Sequence, residues 1–204
     1  MTDDLIKSAH GLSSATIHEA AKRIGALPGG IRPIDRFMYT CGRALPVRCP
    51  AGDNLWIHKA LAVSEPGDVL VVDCGSDGDP YGYWGEIMAT AAIARKAGGL
   101  VITGGVRDSN RLIEMGLPTF SGGITIRGTG KDASKDGAVG EPVRIGEIVV
   151  RKGDLVVGDA DGVVVIPAGI APEIVAASRK RDQDEVAILE KLAAGALTID
   201  VYKF

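Results

Sequence analysis

WGEIMATAAIARKAGGLVITGGVRD, residues 84–108, decides how this chain is read. Its middle, EIMATAAIARKA, is rich in alanine and other helix formers and stops at Gly98-Gly99. That pattern predicts a helix over 85–97, with small side chains that let it lie close to a sheet. LVIT at 100–103 is short, apolar and partly β-branched, and predicts a buried strand. Both ends of this helix-to-strand return carry chemistry. The backbone N–H groups of Gly85, Glu86, Ile87 and Met88 open the helix and form a natural anion site. After the strand, Gly104 and Gly105 let the chain approach a small ligand closely and lead to Arg107 and Asp108. Arg107 could grip a carboxylate through its planar fork of donors. Asp108 could hold Mg²⁺ or Mn²⁺, since hard cations take oxygen ligands and often keep several waters. A plain surface ion pair between neighbours is the alternative. Glu86 suits the helix dipole but would repel a bound anion if it pointed inward.

The remaining composition narrows the function classes. A chain of 204 residues, 46% hydrophobic and 24% charged, fits one domain over 1–204 with helices at both ends. Aromatics are only 4%, so the core must rest on Val, Ile, Leu and Ala. The net charge of −3 and the absence of a basic groove argue against nucleic acid as a direct partner; the triplet RKR at 179–181 lies beside Asp182, Asp184 and Glu185. No apolar run reaches membrane-spanning length, and MTDDLIKSAHG does not read as a signal peptide, so no membrane association and a cytoplasmic location are expected. Cys41, Cys49 and Cys74 have neither CxxC nor zinc spacing and are expected to be small core residues.

Along the chain, Thr16 and Glu19 have capping-box spacing for a first helix, with Ser13 or Ser14 as alternative caps. Strands are expected near 37–39 and 44–47, and a helix over 54–63 with Asp53 as its N-cap. VLVVD at 69–73 predicts a strand covered on both faces. A short helix at 110–115, ended by Gly116, and a strand at 117–120 follow. Residues 122–140 read as a long loop, and PVRI, EIVV, DLVVGD and GVVVIP as short strands. The phrase PGDVLVVD at 66–73 is echoed by KGDLVVGD at 152–159, a Gly-Asp turn feeding a buried strand. Pro172 opens a last helix to about 194, and 196–204 forms a strand or a subunit-contacting tail.

Other chemistries find little support. GGITIRGTGKD at 122–132 has phosphate-loop composition but lacks the GK[ST] ending. His10, His18 and His58 lack HExxH spacing, and no GxSxG elbow occurs. Lys59, Lys96 and Lys131 have no context that marks a Schiff-base lysine. Asp73, Asp77 and Asp79 could assist a metal from its second shell of contacts, or simply cap and solvate a loop. Asp159 and Asp161 are expected to serve a turn.

Residues 84–108 resemble the central signature of the RraA-like family, and LSSATIHEA, AGDNLWIHKAL, PGDVLVVD and GDADGVVVIP extend the match over most of the chain. The family includes metal-dependent 4-hydroxy-4-methyl-2-oxoglutarate/4-carboxy-4-hydroxy-2-oxoadipate aldolases and regulators that inhibit an RNA-degrading endonuclease. The resemblance implies an α/β fold: a sandwich related to the swivelling β/β/α domain, with helices covering a central mixed sheet. It implies Mg²⁺ or Mn²⁺ on Asp108, a substrate carboxylate on Arg107, and the pyruvyl group at the Gly85–Met88 amides. It further implies homo-trimers or hexamers with active sites between subunits, where Glu185 is the candidate acid from a neighbour. The implied reaction is retro-aldol cleavage of a 4-hydroxy-2-oxo acid to pyruvate and a second oxo acid, with oxaloacetate decarboxylation as a side reaction. The alternative is a non-catalytic regulator that binds another protein. One departure stands out. Family aldolases usually carry an acid three positions after the metal-binding aspartate, and here that residue is Arg111.

Overall fold

Val69, Leu70, Val71 and Val72 fix the centre of the molecule. All four are fully buried, and they alternate between two faces of one sheet. Such a run is stable only with both faces covered, each side chain contributing about 1.5–3 kcal/mol. The computed structural model describes residues 1–75 and 81–204.

The chain opens with helices α1 (Asp3–Ala9) and α2 (Ser14–Ala20), then strands β1 (Arg32–Pro33) and β2 (Thr40–Arg48). Helix α3 (Leu55–Val63) and strands β3 (Asp68–Asp73) and β4 (Gly82–Trp84) follow. The middle comprises α4 (Glu86–Ala94), β5 (Gly99–Val106), α5 (Ser109–Met115) and β6 (Thr119–Ile124). Then come β7 (Ala138–Val139), β8 (Val143–Ile145), β9 (Ile148–Val150), β10 (Leu155–Asp159) and β11 (Gly162–Ile166). Helices α6 (Ala171–Ala193) and α7 (Thr198–Tyr202) close the chain.

One sheet runs β1-β6-β5-β3-β2-β10-β11, with β4 beside β5 and β7 beside β2. Its centre is parallel, from β2 through β3 and β5 to β6, and its flanks are antiparallel. Arg32 on β1 donates to the Asp161 carbonyl next to β11 at 2.5 Å, so the outer strands meet and the sheet is nearly closed. Helices α3 and α4 cover the face bearing Leu70, Val72, Leu100 and Ile102. Val69, Val71, Val101 and Phe120 pack on the other face against Ile145 and Val150 of the β8–β9 hairpin. Helices α1, α2 and the start of α6 bury a third cluster on β10 and β11. This is the expected α/β sandwich with a mixed central sheet and flanking helices.

The echoed Gly-Asp phrases form the same turn twice. Gly67 and Gly153 both have positive φ, 83° and 87°. The following Asp68 and Asp154 are buried, and each accepts from the backbone N–H three residues earlier, at 2.9 and 2.8 Å.

Several local expectations shift. Ser13, not Thr16, caps α2, accepting from the Thr16 N–H at 2.9 Å. Residues 37–39 form no strand: Asp35 holds a turn by accepting from the Phe37 N–H, and Phe37 is exposed. Helix α4 ends at Ala94, before the glycines, because Lys96 itself takes the left-handed conformation. Gly98 and Gly99 serve close approach instead: side chains there would press on the Gly67 and Pro118 carbonyls at 2.8 and 2.9 Å. Asn54, not Asp53, occupies the N-cap position of α3, and Asp53 just before it accepts from the Leu55 N–H at 2.9 Å. The 196–204 tail contains the helix α7, not a strand. Val186, Leu189, Ile199 and Tyr202 on α6 and α7 are exposed.

Cys49 and Cys74 are buried and Cys41 half-buried. Burial pushes the Cys41 thiol up to about 11 and Cys49 up to about 12, and raises Cys74 as well. They therefore stay protonated at neutral pH and are poor nucleophiles. Among the described residues, no helix is long and apolar enough to cross a membrane.

Candidate functional site

Strand pairing brings the two ends of the helix-to-strand return together. β4 and β5 are parallel neighbours, Trp84 lies opposite Val106, and the Arg107 N–H donates to the Trp84 carbonyl at 2.8 Å. Gly85 and Arg107 therefore leave the sheet side by side, at the carboxyl ends of parallel strands where open α/β sheets bind ligands. Glycine is required for this approach. A Cβ on Gly85 would overlap Asp108 Oδ2 and lie 3.1 Å from Arg107 Cγ.

Asp108 holds the corner. Its φ of 58° is left-handed, a conformation that aspartate tolerates better than most residues. Its Oδ2 accepts from the Glu86 N–H at 3.0 Å, so Asp108 caps α4, whose own N-cap Gly85 has no side chain. That contact occupies one amide of the expected anion site. The N–H groups of Ile87 and Met88 have no partner among the described residues. Arg107 Nε stands 3.8 Å from Asp108 Oδ2, with both side chains nearly half exposed. A loose surface pair of that kind contributes little stability and does not account for the Asp108 cap.

The Glu86 carboxylate is bound by Arg111, which donates through Nε and Nη2 to Oε1, each at 3.1 Å. Arg111 also pairs with Glu114. The cation at the position where the resemblance expects an acid thus compensates Glu86 and reduces its repulsion of an anion at Arg107. Asp108 Oδ1 and Glu86 Oε2 have no partner among the described residues.

A depression of about 130 Å³ lies here, lined by Gly85, Ile87, Met88, Arg107 and Asp108 and also by Asn54, His58 and Lys131. The last three were not expected at a site. Asn54 and His58 are four residues apart at the start of α3, a spacing that places them on one helix face and could have signalled the pair. Burial, then the Lys131 charge, hold the His58 imidazole below its usual pKa, which favours the neutral ring. Lys131 arrives from the 125–137 segment, whose position no periodicity reveals. Asp53 anchors that segment: fully buried, it accepts from the Asp132 N–H at 2.6 Å as well as from Leu55. Gly130 bonds Gly52 and Asn54 on either side of it. Asp53→Ala is expected to cost about 2 kcal/mol of stability by removing a buried carboxylate that accepts from two part-buried amides, read by urea denaturation. Unchanged stability would remove Asp53 as the anchor.

Other expected residues lie elsewhere. Asp73 accepts from the Gly75 N–H and lines a separate cavity of about 450 Å³ with Thr103, Gly122 and Arg144. Burial raises its carboxyl pKa. That cavity is larger and has an arginine of its own, Arg144, yet no helix start lines it, so the smaller depression has the stronger chemical case. Asp77 and Asp79 fall outside the described residues. Glu185 is ion-paired to Arg181 on α6 and does not line the depression of its own protomer. Asp159 has the expected turn role, accepting from Asp161, and also binds the Ser14 N–H and hydroxyl at the start of α2. Among the described residues, no group of three or more His, Cys, Asp or Glu could hold a metal ion.

The family model described as RraA-like, Aldolase/RraA, matches residues 14–165. A Halalkalibacterium halodurans protein whose name proposes a 4-hydroxy-4-methyl-2-oxoglutarate aldolase is 30% identical over 98% of this chain and 93% of its own length. Among solved structures, an uncharacterised Pseudomonas syringae protein superposes with a TM-score of 0.87 at 27% identity, covering 100% of this chain and 94% of that one. Streptomyces coelicolor RraAS2, described as an unusual member of the RNase ES inhibitor RraA protein family, gives 0.79 at 29% identity, covering 93% and 98%.

Proposed function

The chain belongs to the RraA-like family, and from that membership we propose that it is a divalent-metal-dependent lyase. It would cleave a 4-hydroxy-2-oxo acid by retro-aldol chemistry to pyruvate and a second oxo acid, with oxaloacetate decarboxylation as a side activity. The observation that carries this reading is the juxtaposition of Arg107 with the unpartnered amides of Ile87 and Met88. A planar fork of donors beside a helix N-terminus suits a carboxylate with a neighbouring carbonyl oxygen.

The donor set beside it fits a hard cation. Asp108 offers a free carboxylate oxygen and Glu86 a second nearby, both open to solvent. Mg²⁺ or Mn²⁺ needs only one or two carboxylates when waters complete the shell, so a cluster of three protein ligands is not required. Asp108 would hold the ion, which when bound supplies Lewis acidity toward the substrate carbonyl. Arg107 binds and orients the carboxylate, and the α4 amides take the oxygen next to it. Arg111 holds Glu86 in place and lowers the negative charge that the substrate meets. In a trimer or hexamer, Glu185 would act in a neighbour's site.

A second reading, a non-catalytic protein that binds another protein, has broader support at the level of the family. RraAS2 is named within an RNase inhibitor family. One assay separates the two readings. Protein stripped by chelator should release pyruvate from branched 4-hydroxy-2-oxo acids or from oxaloacetate only after Mg²⁺ or Mn²⁺ is restored. Failure on the whole panel with metal present, together with tight binding to a protein bait, would favour the regulator.

A further inference from the structure

The larger cavity, of about 450 Å³, opens at the carboxyl ends of β3 and β5, on the face of the sheet away from α3 and α4. Parallel strands of α/β sheets bind ligands at that end, and the volume falls in the range of small-molecule sites. Val69 and Val71 on β3 and Val101 on β5 pack against the β8–β9 hairpin. Asp73 and Thr103 come next in those two rows, so the apolar surface ends in a carboxylate and a hydroxyl that line the cavity. Thr103 Oγ1 accepts from the Cys74 N–H at 2.9 Å and pins the end of β3 beside it. Asp73 Oδ1 accepts from the Gly75 N–H at 3.0 Å, and its Oδ2 has no partner among the described residues. Arg48, opposite Asp73 in register, pairs with Asp136 at 2.9 Å instead. Burial holds the Asp73 carboxyl above its usual pKa, as happens to an acid kept in a cleft at some cost to folding. Arg144 lines the cavity from the hairpin side and forms no ion pair, with Asp73 or with another acid, among the described residues.

We propose that this cavity is a second ligand site, which binds an aliphatic amino acid with its ammonium on the Asp73 carboxylate, its carboxylate on Arg144, and its side chain on the apolar wall that Pro28 shares with Ile31 and Ile145. Two opposite charges that line one cavity without pairing to each other call for a ligand carrying both. A simple anion would be repelled by Asp73 and a simple cation by Arg144, whereas a zwitterion forms a charge-assisted hydrogen bond with each. The bound ammonium also favours the ionised carboxylate that burial disfavours. The cavity shares no lining residue with the depression at Arg107, so this assignment is independent of the lyase reading.

Calorimetric titration of the purified full chain at neutral pH tests this with leucine as the probe. The controls are 4-methylpentanoate, which lacks the ammonium, and 3-methylbutylamine, which lacks the carboxylate. The wild type should bind leucine at least about tenfold more tightly than either control. Asp73→Asn and Arg144→Gln should each weaken leucine by at least about tenfold. Arg107→Ala should leave leucine within about twofold of wild type, since that residue belongs to the other site. No binding of leucine to the wild type at about 10 mM, or equal affinity for either control, would overturn the assignment. So would leucine binding that is undiminished in either folded cavity variant, or that is lost in Arg107→Ala. Arg144 is exposed on the hairpin, so Arg144→Gln and the wild-type comparison decide the matter even if Asp73→Asn does not fold.

Discussion

Asp108→Asn is expected to lower metal-dependent pyruvate release by at least about a hundredfold while leaving the fold in place. Asparagine is the informative replacement. It tolerates the left-handed conformation at φ 58°, and its side-chain oxygen can still accept from the Glu86 N–H that Asp108 now binds. The helix cap and backbone corner therefore survive, and the charge is what disappears. Stability should change by less than about 0.5 kcal/mol. Asp108→Ala would confound the two, since loss of an N-cap alone costs about 1 kcal/mol. Arg107→Lys is the companion variant. It keeps a positive charge but loses the two-pronged geometry, and should cost about tenfold or more in kcat/KM. Turnover that is unaltered in Asp108→Asn, or that persists without metal, would end the metal-lyase reading.

Gly85→Ala should be nearly as damaging to function, through a single added methyl. The backbone there is extended, with φ −159°, so alanine incurs no conformational strain. The difficulty is space: the new Cβ would overlap Asp108 Oδ2 and crowd Arg107 Cγ and Nε at 3.1 and 3.3 Å. Both obstacles are half-exposed side chains that can swing away, so the protein should still fold, with a loss of about 1 kcal/mol from the broken cap. Moving Arg107 and Asp108 by about an ångström should lower carboxylate binding and turnover by about a hundredfold. Urea denaturation paired with pyruvate release separates the two effects. A variant that keeps full turnover would show that the packing of Arg107 and Asp108 against Gly85 is irrelevant to the site.

The parts of the fold legible in the sequence are those where burial pattern and local structure agree. VLVVD had to be a central strand because an apolar run of that length needs cover on both faces. The alanine-rich stretch before Gly98 had to be helix, yet its end was misplaced, because Gly98 and Gly99 look like a helix stop and in fact admit neighbouring backbone. Phe37–Tyr39 misled for the opposite reason: three residues suited to a strand lie in a turn organised by the Asp35 carboxylate. Arg107, Asp108 and the Gly85–Met88 turn could be named as site candidates because each has chemistry of its own. Asn54, His58 and Lys131 could not. A buried asparagine, a helical histidine and a loop lysine are ordinary until something gathers them.

By itself the sequence determined the α/β class, the buried central strands, the inert cysteines and the Arg107–Asp108 corner, since all of these follow from local composition and spacing. Tertiary structure alone decided that β4 and β5 run side by side and set Gly85 against Arg107. It also decided that Asp108 caps a helix begun 22 residues earlier, that Arg111 neutralises Glu86, and that buried Asp53 draws Lys131 to the depression. Each of these depends on contacts between segments distant in the chain, and pairing across a sheet is set by the packing of the whole molecule, not by the residues at either end of the contact.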